Sequence, residues 1–428
     1  MSFTNPAHRI ARRSIAGGEG EWVKHFDPPK ASPPTPERLN PTNPVPAFIA
    51  ATVPGATQQI PNTVSLGLMH GLDIDMWDGR RVAFFLFSDD DVPATKGGTF
   101  PAATIRVPRG AIFHGHTESG GSPPHTVHWH GIEPTPMNDG VGHCSFEIGR
   151  YTYQFQPNYI GTYFYHCHRN TMQHFEFGLY GMLVIEPPDA FANPATSGGY
   201  PRRTAANLAR FPQFPGFNNQ PLTSGDPHAM TVPYDVEAAW VVDDRSSQWS
   251  DFMDNPKDTF PAHGNNPGVD DMFLKGDFHD YNPDYFFVTG LPFPAPLGGT
   301  GTCAPSFVVP PDLNSGVSGM QVPVNARVGQ TVLVRFINAA YCPVTVSFPT
   351  DVVIIAFDGR ALGVPPYGLY NNAFVLRAGH SYFLSTARRF DVLMRPTAPV
   401  SGHGIVQFRN HRNPKEVLFT GRIPVTIS

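Results

Sequence analysis

The chain has 428 residues, enough for two domains of ordinary size or three small ones. A formal charge of −5 and a charged fraction of 15% offer no basic face for nucleic acid, and no apolar run reaches the length of a membrane span. With 47 prolines and 41 glycines among many Val, Phe and Tyr residues, the composition is that of a turn-rich all-β protein.

Residues 1–60 are rich in proline, as in DPPKASPPTPERLNPTNPVP. Such a stretch favours extended polyproline conformation and cannot bury a core of its own. It reads either as a flexible tail or as an arm that wraps the body or a neighbouring subunit. The first twenty residues lack the apolar core of a secretory signal, and nothing hydrophobic follows the Arg12-Arg13 pair.

Residues 61–190 carry the chemistry. ATIRVPRGAIF (Ala103 to Phe113) alternates like a strand, and FHGHTESGGSPP then places His114 and His116 on one face. These two histidines read as an exposed polar strand end or as extra metal donors. HTVHWHG (His125 to Gly131) follows, and YHCHRNTMQHFEFGLYG (Tyr165 to Gly181) closes the segment. Seven of the eighteen histidines fall between positions 125 and 174, joined by Cys167. Imidazoles and one thiolate concentrated in two short runs point to a metal site. A core lined with inert buried histidines is the competing explanation, but alternating pairs of buried histidine are rare.

Strand residues alternate faces with period two. His128 and His130 therefore share a face, as do His166 and His168, while Cys167 points the other way. His125, three residues before His128, falls on the face of Cys167. One donor set is then His125 and Cys167, joined by His174 from the following turn. Two imidazoles and a thiolate with room for a weak axial ligand form the pattern of a blue-copper site. The axial position falls on Leu179, which cannot coordinate, so a three-coordinate copper of relatively high potential is expected. The second set is His128, His130, His166 and His168, four nitrogen donors suited to further copper. Cys167 is bonded directly between His166 and His168, giving an electron a short path between the sets.

HxxHxHG followed by HCH, a further His and an apolar residue resembles the ligand pattern of the multicopper oxidases, the laccase family. The resemblance implies two cupredoxin-like Greek-key β-sandwich or barrel domains behind the Pro-rich extension. It implies a type 1 copper on His125, Cys167 and His174, and a type 2/type 3 cluster that reduces dioxygen. By that resemblance His128 serves the type 2 copper, and His130, His166 and His168 the type 3 pair. Asp139, in NDG, matches a carboxylate that moves protons near the cluster. The spacing from Cys167 to His174 is nearer to that of copper nitrite reductases. HCSFEIG (His143 to Gly149) matches a family turn, with Cys144 expected buried and inert. A periplasmic or extracellular location also follows from the resemblance.

Residues 191–230 are full of turn formers and read as a surface linker. Residues 231–428 form a second cupredoxin-like domain on the likeness of YDVEAAWVVDDRSSQW, VGQTVLVRFINAA, VVIIAFDGRAL and ARRFDVLMRP. Cys303 and Cys342 are candidates for a disulfide if both sit near the domain's first sheet. In two-domain relatives the missing four imidazoles come from HxH pairs on a neighbour's second domain. Here VTVSFPTDVV (Val344 to Val353) stands in that place with no histidine, and His380, His403 and His411 are isolated. Three functions remain open. They are an oxidase whose cluster is completed in a homo-oligomer (a trimer by family likeness) or a hetero-complex, a nitrite-reductase-like enzyme, and a non-enzymatic blue-copper carrier. The electron donor is a small molecule, a metal ion or a protein. No methionine-rich insert marks a cuprous-ion oxidase.

Overall fold

The computed structural model describes residues 62–88, 99–108, 113–119, 125–132, 134–141, 150–157, 159–168, 171–186, 234–254, 281–309, 320–362 and 373–428. The proline-rich arm, Cys144, the 191–230 linker and the side chain of His116 lie outside the described residues. The described residues are nearly all β, as composition predicts.

Among the described residues eight strands precede residue 190: β1 (Asn62–Asp75), β2 (Arg81–Ser88), β3 (Ala102–Pro108), β4 (Phe113–Ser119), β5 (His128–His130), β6 (Arg150–Phe155), β7 (Gly161–His166) and β8 (Tyr180–Glu186). They form two four-stranded sheets, in the orders β2-β1-β4-β6 and β3-β8-β7-β5. Pairing is parallel for β1 with β4 and for β3 with β8, and otherwise antiparallel. Between the sheets lies an aromatic core of Phe113, Phe155, Trp129, Tyr153, Tyr163 and Tyr165, closed at one end by Cys167 and Leu179.

Strand β7 explains much of the architecture. Every residue of GTYFYH is buried, because both faces are covered. Tyr163 and Tyr165 enter the inter-sheet core. Phe164, from the opposite face, joins a second core that continues through Phe175, Tyr180 and Met182 into the second half of the chain.

That second half opens with β9 (Val236–Arg245), followed by helix α2 (Ser247–Asp254) and β10 (Tyr285–Val288); helix α1 (Thr171–Glu176) belongs to the first half. An eight-stranded sheet is built on β9, flanked by β10 and by Val332–Asn338. A six-stranded sheet centres on the long antiparallel pair Val400–Arg409 and Val417–Ile427. Cys303 and Cys342 are buried free thiols, so the disulfide considered from the sequence is not made.

The halves meet through buried charge. Glu237 on β9 accepts from Arg106 of β3 at 2.9 Å and from Arg335. Arg335 also donates to the Thr162 hydroxyl of β7 at 3.0 Å, and that hydroxyl donates to Asp391. Gly359 passes so close to β7 that an added Cβ would lie 2.1 Å from the Tyr163 ring, and its φ of +74° suits glycine. The Tyr163 hydroxyl donates to the Gly359 carbonyl at 2.6 Å.

Candidate metal centre

Two donor clusters form where β5, β7 and α1 converge. In the first, the donor atoms of His125, Cys167 and His174 lie within 4.8 Å of one another. Cys167 Sγ is 3.5 Å from His125 Nδ1 and 3.2 Å from His174 Nδ1. His174 comes from a six-residue helix rather than a plain turn. The backbone beyond that helix sets the geometry: Leu179 N–H donates to the His174 carbonyl, and Cys167 N–H to the Leu179 carbonyl, both at 3.0 Å. Leu179 is fully buried in the same apolar cluster as Cys167. Cys167 and His174 are buried, while His125 is half-buried and marks the open side.

In the second cluster the donor atoms of His128, His130 and His166 also lie within 4.8 Å of one another. His128 stands opposite His166 in the β5–β7 ladder, which puts them on one face, as period two requires. His130 Nδ1 and His166 Nε2 approach to 3.2 Å. His168 is outside that donor set, though its ring lies beside it, 5.2 Å from His128 and 5.8 Å from His166 between centroids. Phe164 stacks on His130 at 4.4 Å and walls the site toward the second half.

Hydrogen bonds to carbonyls decide which ring nitrogens are free. His128 Nδ1 lies 2.7 Å from the Asp139 carbonyl, and His166 Nδ1 lies 2.8 Å from the Cys167 carbonyl. A carbonyl only accepts, so both Nδ1 atoms carry hydrogen and both Nε2 atoms remain as donors to a metal. The Asp139 carboxylate Oδ1 sits 3.2 Å from His128 Nδ1. It is buried without a hydrogen-bond partner, because the imidazole hydrogen is directed at the backbone carbonyl. Burial, the Arg389 guanidinium and neighbouring imidazoles hold His130 down at about 3. Burial also holds His166 well below its ordinary value. Both rings are therefore neutral at physiological pH, the form in which imidazole binds metal.

The donor chemistry suits copper. Two imidazoles and a thiolate match a blue-copper set, and clustered neutral imidazoles suit further copper ions. The structure brings together side chains that the sequence grouped, and adds three supports that the sequence did not single out. Arg389, buried from the second half, lies 5.3 Å from the Phe164 ring. Glu176, the last residue of α1, is buried against Arg245 of β9. Only the RR and DDR runs marked these arginines, and local pattern gave no reason to bury them. Of the two extra donors considered from the sequence, His114 is half-buried on β4 in the other sheet. Among the described residues the only clusters of metal-type donors are the two above.

Residues 90–190, which hold both clusters, match a family model described as multicopper oxidase. This segment is similar to the multicopper oxidases. An L-ascorbate oxidase from Cucumis sativus is 34% identical over 133 residues, covering 28% of this chain and 21% of that protein. Copper resistance protein A from Pseudomonas syringae pv. tomato is 45% identical over 65 residues, 14% of this chain and 10% of that protein. The match thus spans about a fifth or less of the length of these curated relatives. The solved blue copper oxidase from Nitrosomonas europaea is similar across 86% of this chain and 85% of its own. That alignment has a TM-score of 0.51 and 19% identity, a likeness of fold. A multicopper oxidase called mgLAC shares the fold to the same degree, with a TM-score of 0.51 and 18% identity over 85% of this chain and 86% of its own. These cupredoxin-like neighbours agree with the all-β architecture expected from the sequence.

Proposed function

We propose that this chain is a copper-dependent oxidoreductase of the laccase kind, coupling one-electron oxidation of a reducing substrate to reduction of dioxygen. One observation carries the reading: two donor clusters of different chemistry share a single peptide, His166-Cys167-His168, with the thiolate cluster on one face and the imidazole cluster on the other. Copper, when bound, supplies the one-electron chemistry and the site for oxygen. His125, Cys167 and His174 would hold the type 1 ion, with Leu179, buried in the same apolar cluster as Cys167, offering no donor atom. His128, His130, His166 and His168 hold part of a type 2/type 3 cluster.

The protein's own groups do the rest. The core packed around Trp129 and Tyr165 excludes water from the thiolate side. The Asp139 carbonyl fixes the His128 ring, and the adjacent carboxylate, whose buried Oδ1 makes no hydrogen bond, is placed to hold and release a proton. The remaining cluster donors come from another chain. In support, β5 is an edge strand of its sheet, and His128, His130 and His168 are only half-buried. An exposed edge bearing donors is where a second copy can complete the site in a closed, symmetric assembly. The electron donor is a small molecule, a metal ion or a protein, and the family's periplasmic or extracellular location belongs to the same reading. Among the described residues no helix is long and apolar enough to cross a membrane.

The test is oxygen uptake with a phenolic reductant, alongside copper content per chain and mass in solution. His128→Ala and His166→Ala are expected to abolish oxygen uptake and leave the blue absorption of the Cys167 site. A monomer with one copper per chain and no oxygen uptake would refute the oxidase reading and leave an electron carrier.

A further inference from the structure

Behind α1, away from both donor clusters, the second half buries a group of oxidisable side chains that the metal chemistry above does not use. Tyr281, Trp249 and Cys342 pack together with Phe177, and Tyr341 lies against them. The Tyr281 ring is 4.9 Å from Trp249 and 5.2 Å from Tyr341 between centroids. Inward, Tyr341 meets Phe175 edge-on at 6.3 Å, and Phe175 meets His166 edge-on at 5.2 Å. Phe85 bridges Phe177 to His174, with centroids at 5.4 and 5.7 Å. Outward, Tyr281 is 6.3 Å from the exposed ring of His411. Ring contact is therefore continuous from the imidazoles to the surface, with Tyr281 at its outer end.

The Tyr281 hydroxyl lies within reach of two carboxylates, of which Asp244 is much the nearer and Glu176 Oε1 is 3.4 Å away. It donates to Asp244 Oδ1 at 2.6 Å, and the same carboxylate is held by the backbone N–H groups of Tyr341 and Cys342, each at 3.0 Å. Asp244 is fully buried. Burial pushes the Tyr281 hydroxyl far above the ordinary phenol range and raises the Asp244 carboxyl as well. Such a phenol does not ionise by itself near neutral pH. It gives up its proton only if an electron leaves with it, and the carboxylate then lies within hydrogen-bond reach to take it.

We propose that Tyr281, with Asp244 as its proton acceptor, is a redox-active tyrosine that passes oxidising equivalents from the imidazole cluster outward to the protein surface beside His411. One electron leaves Tyr281 for an oxygen-derived oxidant formed at the cluster. The phenolic proton moves to Asp244, leaving a neutral tyrosyl radical and a neutral carboxylic acid. A reductant at the surface returns the electron, and the proton returns from Asp244. Tyr180 donates to Asp243 in a similar way at 2.8 Å, but the aromatic rings packed on it, Phe100 and Phe175, are both buried. This assignment rests on the copper reading above for its oxidant.

The test uses the copper-loaded full chain and flash-generated tris-bipyridyl ruthenium(III) as the one-electron oxidant. In the parent protein a tyrosyl radical is expected by electron paramagnetic resonance, forming more slowly in D2O. Tyr281→Phe keeps the ring and its packing, and the radical should be lost while the blue absorption stays. With copper pre-reduced, the parent's radical should decay as the blue absorption returns, and Tyr281→Phe should slow that return. The same radical yield in Tyr281→Phe as in the parent, or loss of the radical in Tyr180→Phe instead, overturns the assignment. Absence of copper from the protein would sink the oxidase reading, while the radical measurement would still decide the role of Tyr281.

Discussion

Replacing Glu237 by Gln tests the joint that holds the metal strand. The Glu237 side chain is 5% exposed and lies between Arg106 and Arg335. Burial alone would raise its carboxyl, but the two guanidiniums outweigh burial and hold it at about 2, against an ordinary 4.5. A carboxyl depressed in the fold stabilises the protein above its unfolded value and loses that contribution as pH falls toward the folded one. The gap is 4.5 − 2 = 2.5 pH units. At about 1.4 kcal/mol per unit, the ionised group contributes on the order of 3 kcal/mol at neutral pH, of which about 2 kcal/mol is gone by pH 3. Gln keeps the shape and removes the charge, taking from the buried Arg106 and Arg335 the carboxylate they share, a change of roughly 3–5 kcal/mol when a buried pair is broken.

Urea unfolding, followed by tryptophan fluorescence at pH 7 and pH 3, measures this directly. Glu237→Gln should be less stable than the parent by about 3 kcal/mol at pH 7, and the gap should narrow by about 2 kcal/mol at pH 3. An equal gap at both pH values would refute the ionic account of the joint. The consequence reaches the metal strand, because Arg335 and Arg389 both bond Thr162 near the start of β7, whose far end is His166.

Cys167→Ser should abolish the intense blue thiolate-to-copper absorption, and retention of that band would sink the thiolate assignment. Leu179→Met should add a weak thioether ligand and lower the reduction potential in a redox titration, since axial identity tunes it. An unchanged potential would place another residue over the ion. Gly140→Ala should reduce copper content and destabilise the fold by about 1–3 kcal/mol, because φ there is +71° and the new Cβ would sit 1.8 Å from the Val127 carbonyl oxygen. Wild-type copper content and stability in that variant would show that the turn carrying Asp139 relaxes freely.

The donor sets were legible because strand parity is a property of the backbone and needs no tertiary knowledge. His128 and His166 fall opposite each other in the ladder, and Cys167 turns into the core with Leu179, as the alternation requires. His174 was legible as a donor but not as part of a helix, since six residues give too little periodic pattern to detect. Asp139 was legible as a carboxylate near the cluster. Its backbone carbonyl, which orients His128, could not be read from residue type. Nor could the free state of Cys303 and Cys342, because a pair of cysteines does not fix their geometry.

The charged residues of the second half were the hardest to interpret, for a physical reason. Asp243, Asp244 and Arg245 end β9 in a run that local rules assign to solvent, yet all three are buried. Each is made tolerable by partners far away in sequence: Tyr180 for Asp243, Tyr281 for Asp244, and Glu176 for Arg245. Burial pushes the Asp243 carboxyl up to about 7 even with the Arg245 guanidinium beside it, so this set is not a simple ion pair. Removing one partner would leave another charge buried and unmatched, which costs far more than losing an exposed salt bridge. The cluster therefore behaves as a single fitted unit, and it sits directly behind the helix that supplies His174. The same packing that buries these charges fixes α1 against β8 and β9, so the position of His174 is set by the second half of the chain as well as by its own loop.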